Sequence, residues 1–138
     1  FGRAMLARGA GAIVNISSIG AAHPNAEFGS YSVSKAGASM LTKLLAAEWG
    51  PFGVRCNAVL PGMIHTPMTS VNYTSEAVLK ARSAIVPMRR IGTAEDIAAA
   101  VIYLAGPEAA YVTGAELLVD GGLTQSFTRL IPRAGQLS

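Results

Sequence analysis

The chain has 138 residues, of which 51% are hydrophobic and only 14% charged, with a net charge of +3. That suits one domain with a sizeable core, and charge this sparse implies that part of the surface is covered by something else. No run approaches the roughly 18 apolar residues of a membrane span, Arg89-Arg90 is the only adjacent basic pair, and the single Cys56 can form no intrachain disulfide. A membrane helix, a basic nucleic-acid surface and a disulfide framework are thereby excluded, and a reducing, cytoplasmic setting is expected. His23 and His65 read as loop histidines, so no metal is expected either.

Phe1 to Arg8 carries apolar residues at helical spacing and stops at Gly9-Ala-Gly11, a helix end followed by a turn. Residues 12–17 are an apolar, β-branched run, the pattern of a strand buried on both faces. After a loop containing Pro24, a helix is expected from Ser30 to Trp49, ended by Gly50-Pro51. It is small or apolar almost all round, which predicts a sandwiched helix with little solvent face. Residues 53–60 form the next strand, halted at Pro61-Gly62. A long segment from Met63 to Met88 follows, with a helical pattern near 75–83. Thr93-Ala-Glu-Asp96 is a capping signal opening a helix to Leu104, and residues 115–119 are a last strand ended by Asp120-Gly-Gly. Glu95 and Asp96 read as partners of the helix dipole, Arg89-Arg90 as a salt-bridged loop end, and Asn57 as a core amide bonded to backbone. Strand, helix and strand with long crossovers predict an α/β fold with a parallel sheet.

The chemistry concentrates at Tyr31-Ser-Val-Ser-Lys35. Residues four apart share a helix face, one turn from each other. An ammonium held beside a phenol favours the phenolate, which makes Tyr31 a candidate proton donor and acceptor near neutral pH. Ser18, thirteen residues upstream, closes the first strand run. It would stand at the strand's carboxyl end, where parallel α/β sheets bind ligands. Alternation along the strand turns only one of Ser17 and Ser18 toward that ligand face.

Gly11-Ala-Ile-Val-Asn-Ile-Ser-Ser18, Tyr31 to Gly37, Val54-Arg-Cys-Asn-Ala-Val-Leu-Pro-Gly62 and Thr113-Gly114 to Asp120-Gly-Gly122 follow one another in this order. The set resembles the short-chain dehydrogenase/reductase family over residues 1 to about 124. The resemblance implies a Rossmann-like doubly wound parallel sheet, here its C-terminal half of about three strands with flanking helices. It implies NAD or NADP as cofactor and a small-molecule alcohol/carbonyl substrate. In the implied roles Tyr31 is the acid/base and Lys35 supports it and bonds the nicotinamide ribose. Ser18, selected over Ser17 by the family spacing, donates to the reacting oxygen. Pro61, Gly62, Ile64 and Thr66 resemble the segment that holds the nicotinamide end, through the Ile64 backbone and the Thr66 hydroxyl. Asp120-Gly-Gly is expected to be a structural turn.

A dinucleotide also needs a glycine-rich turn after a strand, whereas Gly9-Ala-Gly11 precedes one. Residues 1–138 are therefore expected to be the C-terminal part of a single NAD(P)-binding domain of about 250 residues, with 124–138 as a tail. Within the family, a 3-oxoacyl thioester (acyl-carrier-protein) reductase stays open as the substrate class. A non-catalytic half-domain acting as an interaction module is the reading of another class. The resemblance further implies a homodimer or homotetramer packed through the Tyr31 helix, with Gly37, Ala38 and Ala46 permitting close approach. Phe127, Leu130 and Ile131 are expected to dock the tail on a surface.

Overall fold

In the computed structural model, which describes residues 2–24 and 26–126, a short helix α1 (Gly2–Arg8) turns at Gly9 into strand β1 (Gly11–Ile16). Helix α2 (Ser30–Trp49) stops at Gly50-Pro51, and strand β2 (Val54–Pro61) follows. A long connection carries helix α3 (Glu76–Ile85) and leads to helix α4 (Ala94–Ala105) and strand β3 (Glu116–Val119). The expected elements are present, with ends displaced by a residue or two. The expectation for Phe127, Leu130 and Ile131 lies outside the described residues.

The strands form one parallel sheet in the order β1-β2-β3, with Val14 beside Asn57 and Val59 beside Leu117. Neighbouring side chains along β2 point to opposite faces. Cys56 looks toward α2, because Asn15 Nδ2 donates both to the Thr42 hydroxyl (2.8 Å) and to Cys56 Sγ (3.7 Å). Arg55 looks toward α4, donating to the carbonyls of Leu104 (2.7 Å) and Gly106 (3.0 Å). The two helices thus cover opposite faces, the doubly wound arrangement that the family resemblance implies. Arg55 also caps α4, placing a cation on carbonyls that have no partner inside the helix.

The core lies along β2, where Val54, Cys56, Ala58 and Val59 are fully buried, with Leu104 packed alongside. Asn57 is equally buried and bonded at both ends of its amide. Its Nδ2 donates to the Val112 carbonyl (2.8 Å) and its Oδ1 accepts from the Ala115 N–H (3.0 Å). Burial pushes the Cys56 thiol up, so it stays protonated.

Helix α2 departs from the expectation of an apolar rod. Its buried positions are Ser32, Ser39, Thr42 and Ala46, all small and three of them hydroxylated. Its outward positions include Val33, 73% exposed, with Met40, Leu41 and Leu44. Ala46, expected at a subunit contact, instead faces the fold: a Cβ on Gly114 would sit 3.4 Å from its methyl group. Gly37 has open space around it, as the outward side requires.

Candidate active site

Three consecutive residues at the carboxyl end of β1 make three different contacts. The Ile16 carbonyl accepts from Lys35 Nζ at 3.0 Å. The Ser17 hydroxyl, almost fully buried, donates to the Lys35 backbone carbonyl at 2.9 Å. Ser18 then leaves the strand and begins a short turn over Ile19–Ala21, its Oγ accepting from the Gly20 N–H at 3.0 Å.

Helix α2 starts at this same end, so its first two turns bring Tyr31 and Lys35 to Ser18. The Lys35 ammonium lies 5.7 Å from the Tyr31 ring centroid, the one-turn juxtaposition that the spacing predicted. Gly20 separates Ser18 from Tyr31. A Cβ there would stand 3.4 Å from both Ser18 Oγ and Tyr31 Cε1, so the hydroxyl and the ring flank one small residue. Phe28 packs edge-on to Tyr31 at 5.8 Å between ring centroids, leaving the tyrosine 42% exposed and open to a reactant. The structure therefore brings Ser18, Tyr31 and Lys35 together.

Pro61, Gly62, Ile64 and Thr66 emerge from the neighbouring strand at the same edge of the sheet. Ile16 is paired with Val59 and the Ser17 N–H donates to the Val59 carbonyl at 2.8 Å, so Ser18 and Pro61 leave the sheet at one level. Ile64 forms a bridge with Gly92, in which the Gly92 N–H donates to the Met63 carbonyl (3.0 Å) and the His65 N–H to the Gly92 carbonyl (2.8 Å). Thr69 buckles the segment back on itself. Its Oγ1 donates to the Ile64 carbonyl (2.7 Å), accepts from the Thr66 N–H (2.8 Å) and lies 3.1 Å from Thr66 Oγ1. Sequence reasoning passed over Thr69, although a threonine three residues after Thr66-Pro67 is a side-chain turn signal.

The acidic residues have structural partners. Asp120 accepts from the N–H groups of Gly122 and Thr124 and from the Thr124 hydroxyl, the turn the sequence suggested. Burial pushes its carboxyl up, but the bonds from Thr124 and Gly122 outweigh that and hold it below the usual range. Asp96 closes a capping box with Thr93 and takes both ends of the Arg90 guanidinium at 2.6 and 2.7 Å. That pairing holds its carboxyl well below the ordinary value. Among the described residues no three His, Cys, Asp or Glu side chains converge to hold a metal.

A family model described as enoyl-(acyl carrier protein) reductase matches residues 2–124. The chain belongs to the short-chain dehydrogenase/reductase family. It is 48% identical over 126 residues to the galactitol 2-dehydrogenase (L-tagatose-forming) of Cereibacter sphaeroides, covering 90% of this chain and 50% of that protein. It is 43% identical over 114 residues to 3beta-hydroxysteroid dehydrogenase 1 of Eggerthella lenta, covering 83% of this chain and 44% of that protein. Among solved structures it resembles a gluconate 5-dehydrogenase from Burkholderia cenocepacia in complex with NADP and tartrate, with a TM-score of 0.84 at 32% identity. That alignment covers 90% of this chain and 49% of the other. The chain thus spans about half the length of the curated family members it matches. Within the described residues, no helix is long and apolar enough to cross a membrane.

Proposed function

We propose that the protein transfers a hydride between NAD or NADP and a secondary alcohol/ketone pair on a small molecule. Residues 1–138 would form the C-terminal part of a single dinucleotide-binding domain. The observation that carries this reading is the meeting of Lys35, Tyr31 and Ser18 at the carboxyl end of β1, with the ammonium 5.7 Å from the phenol ring.

The residues fit a nicotinamide cofactor. The bonds tying 63–66 to Gly92 and Thr69 use the carbonyls of Met63 and Ile64 and the N–H groups of His65 and Thr66. The Ile64 N–H takes part in none of those bonds and stays available to a carboxamide, flanked by Pro61-Gly62 and the Thr66 hydroxyl. Lys35 would serve the ribose. Bound there, the cofactor supplies or accepts the hydride.

In the reducing direction the Tyr31 hydroxyl gives its proton to the carbonyl oxygen, and in the oxidising direction it takes one from the alcohol. Lys35 holds a positive charge beside it. Gly20 N–H fills one lone pair of Ser18 Oγ, which leaves the serine's own proton for the reacting oxygen as charge develops there.

The names of the relatives span a polyol and a steroid, which supports a secondary alcohol and no finer class. A relative named (3R)-3-hydroxyacyl-CoA dehydrogenase, from Canis lupus familiaris and 45% identical over 113 residues, supports a 3-oxoacyl thioester as the second substrate class. The intact cluster speaks against a non-catalytic interaction module. A buried, protonated Cys56 is consistent with a cytoplasmic protein. The outward apolar side of α2 supports a homodimer or homotetramer formed through it.

Tyr31→Phe in the full-length protein tests the reading. Ring packing against Phe28 is retained, so circular dichroism and melting stay those of the parent. Turnover falls by about 10²–10⁴ through loss of the proton donor. A Phe variant within about tenfold of the parent overturns the role of Tyr31.

A further inference from the structure

Lys35 is held twice by adjacent residues of one strand. Its ammonium rests on the Ile16 carbonyl at 3.0 Å, and its backbone carbonyl receives the Ser17 hydroxyl at 2.9 Å. Ile16 and Ser17 are consecutive, so the two holds have a fixed separation. Together they set both the height and the rotation of α2 at this residue. Without the second hold, Lys35 would be tied to this strand only through the ammonium at the end of a flexible four-carbon stem. The Ser17 N–H also continues the ladder to Val59 at 2.8 Å, so the hydroxyl comes from backbone locked into the sheet.

We propose that Ser17 is a positioning residue for the reaction: its buried hydroxyl fixes the turn of α2 that presents Lys35 and Tyr31, and its loss weakens cofactor binding and turnover without loosening the fold any more than an equivalent deletion nearby. The inference rests on the dehydrogenase reading above and adds a residue that the chemistry itself does not touch. Ser17 is 3% exposed and 18 residues from Lys35 in sequence, so the bond is a tertiary tie and no local turn supplies it.

Ser39 provides the internal control. Its hydroxyl lies 3.1 Å from Ser17 Oγ and is buried to a similar degree, 6% exposed, but it makes no bond to the Lys35 carbonyl. Ser17→Ala and Ser39→Ala each remove one buried oxygen, the same hydroxyl–hydroxyl contact and one further bond, to the Lys35 carbonyl in the first and to the Glu116 carboxylate in the second. Only Ser17→Ala removes the hold on Lys35. A purely structural role would therefore move the two variants alike.

The experiment compares parent, Ser17→Ala and Ser39→Ala in the full-length protein by cofactor titration with NADPH and NADH, by kcat on a panel of secondary alcohols, and by melting. The expected result is a similar loss of Tm in both variants. For Ser17→Ala alone, the cofactor Kd rises about fivefold and kcat falls about tenfold, the scale of a small misplacement of a catalytic group. Equal Kd and equal kcat in the two variants overturn the inference, as does a Ser17→Ala protein that differs from the parent only in Tm. A parent that binds cofactor but turns over no alcohol overturns the dehydrogenase reading instead, and the Kd comparison still decides the role of Ser17. A parent that binds neither cofactor overturns both.

Discussion

Thr69→Val deletes a hydroxyl and keeps the shape of the side chain, at the point where the connection after β2 folds back on itself. Four contacts go with it: to the Ile64 carbonyl at 2.7 Å, from the Thr66 N–H at 2.8 Å, to Thr66 Oγ1 at 3.1 Å and to the Thr66 carbonyl at 3.2 Å. Each net hydrogen bond contributes about 1 kcal/mol, and the half-buried site lets water replace part of that, so the ordered segment loses about 2 kcal/mol. The loss is local, because Ile64 remains bridged to Gly92 and β2 is untouched. If residues 64–66 hold the nicotinamide end, affinity falls with the fraction of molecules that keep the competent shape, and about 2 kcal/mol sets a ceiling of about 30-fold on the change in Kd. Fluorescence titration of the full-length protein with NADPH and NADH measures that Kd, with Tm recorded alongside. The expected outcome is a Kd raised by about 5- to 30-fold, a Tm close to the parent's, and recovery of most of the affinity in Thr69→Ser. A Thr69→Val protein within about twofold of the parent refutes the reasoning, since the segment would then not depend on its buckle or would not touch the cofactor.

Two further outcomes follow from the fold. Asp120, Asp96 and Glu116 all have carboxyls held below the ordinary range, Glu116 by Lys43 first and then by the Ser39 hydroxyl. A depressed folded-state value means that the stabilisation is complete above the unfolded carboxylate value of about 4 and is lost as pH falls through the lower folded values. Urea unfolding from neutral to acid pH should show the parent losing more stability than Asp120→Asn, and equal losses would remove Asp120 from that account. Assembly is read by light scattering at micromolar concentration: the full-length protein should be a homo-oligomer, and Met40→Glu combined with Leu44→Lys should dissociate it without unfolding it. A monomeric parent would overturn the reading of the outward side of α2.

Strands and helices were legible because their signals are local. β-branched runs end at Ser17-Ser18 and Pro61-Gly62, Thr93 and Asp96 announce α4, and Gly50-Pro51 stops α2. The pairing of Tyr31 with Lys35 was legible for the same reason, since one helical turn fixes it. Tertiary ties were not. Nothing in the sequence near Ser17 says that its hydroxyl meets the carbonyl of a residue 18 positions away, nor that Arg55 will cap a helix 49 positions on. Thr69 sits between these cases, because its turn is local but its importance depends on Ile64 being pinned to Gly92.

The patterning of α2 misled for a more specific reason. A helix laid on a sheet ordinarily buries its large apolar residues and turns small or polar ones outward. Here Ser32, Ser39 and Thr42 face inward while Val33, Met40, Leu41 and Leu44 face outward. Composition alone reads this as apolar all round, because it counts the residues and not their phase. Small inward side chains suit a close approach of helix to strands, and the hydroxyls of Ser39 and Thr42 meet Ser17 Oγ and Asn15 Nδ2 in directional bonds. Hydrophobic burial is non-directional and grows with area, at about 25 cal/mol per Å². It can press a helix onto a surface without fixing its rotation, whereas a bond from Ser17 to one particular carbonyl fixes that rotation. The inner side of α2 therefore carries the precision that Tyr31 and Lys35 need. Its outer side keeps apolar area in reserve, so covering that side should raise stability while leaving the geometry at Lys35 as it is.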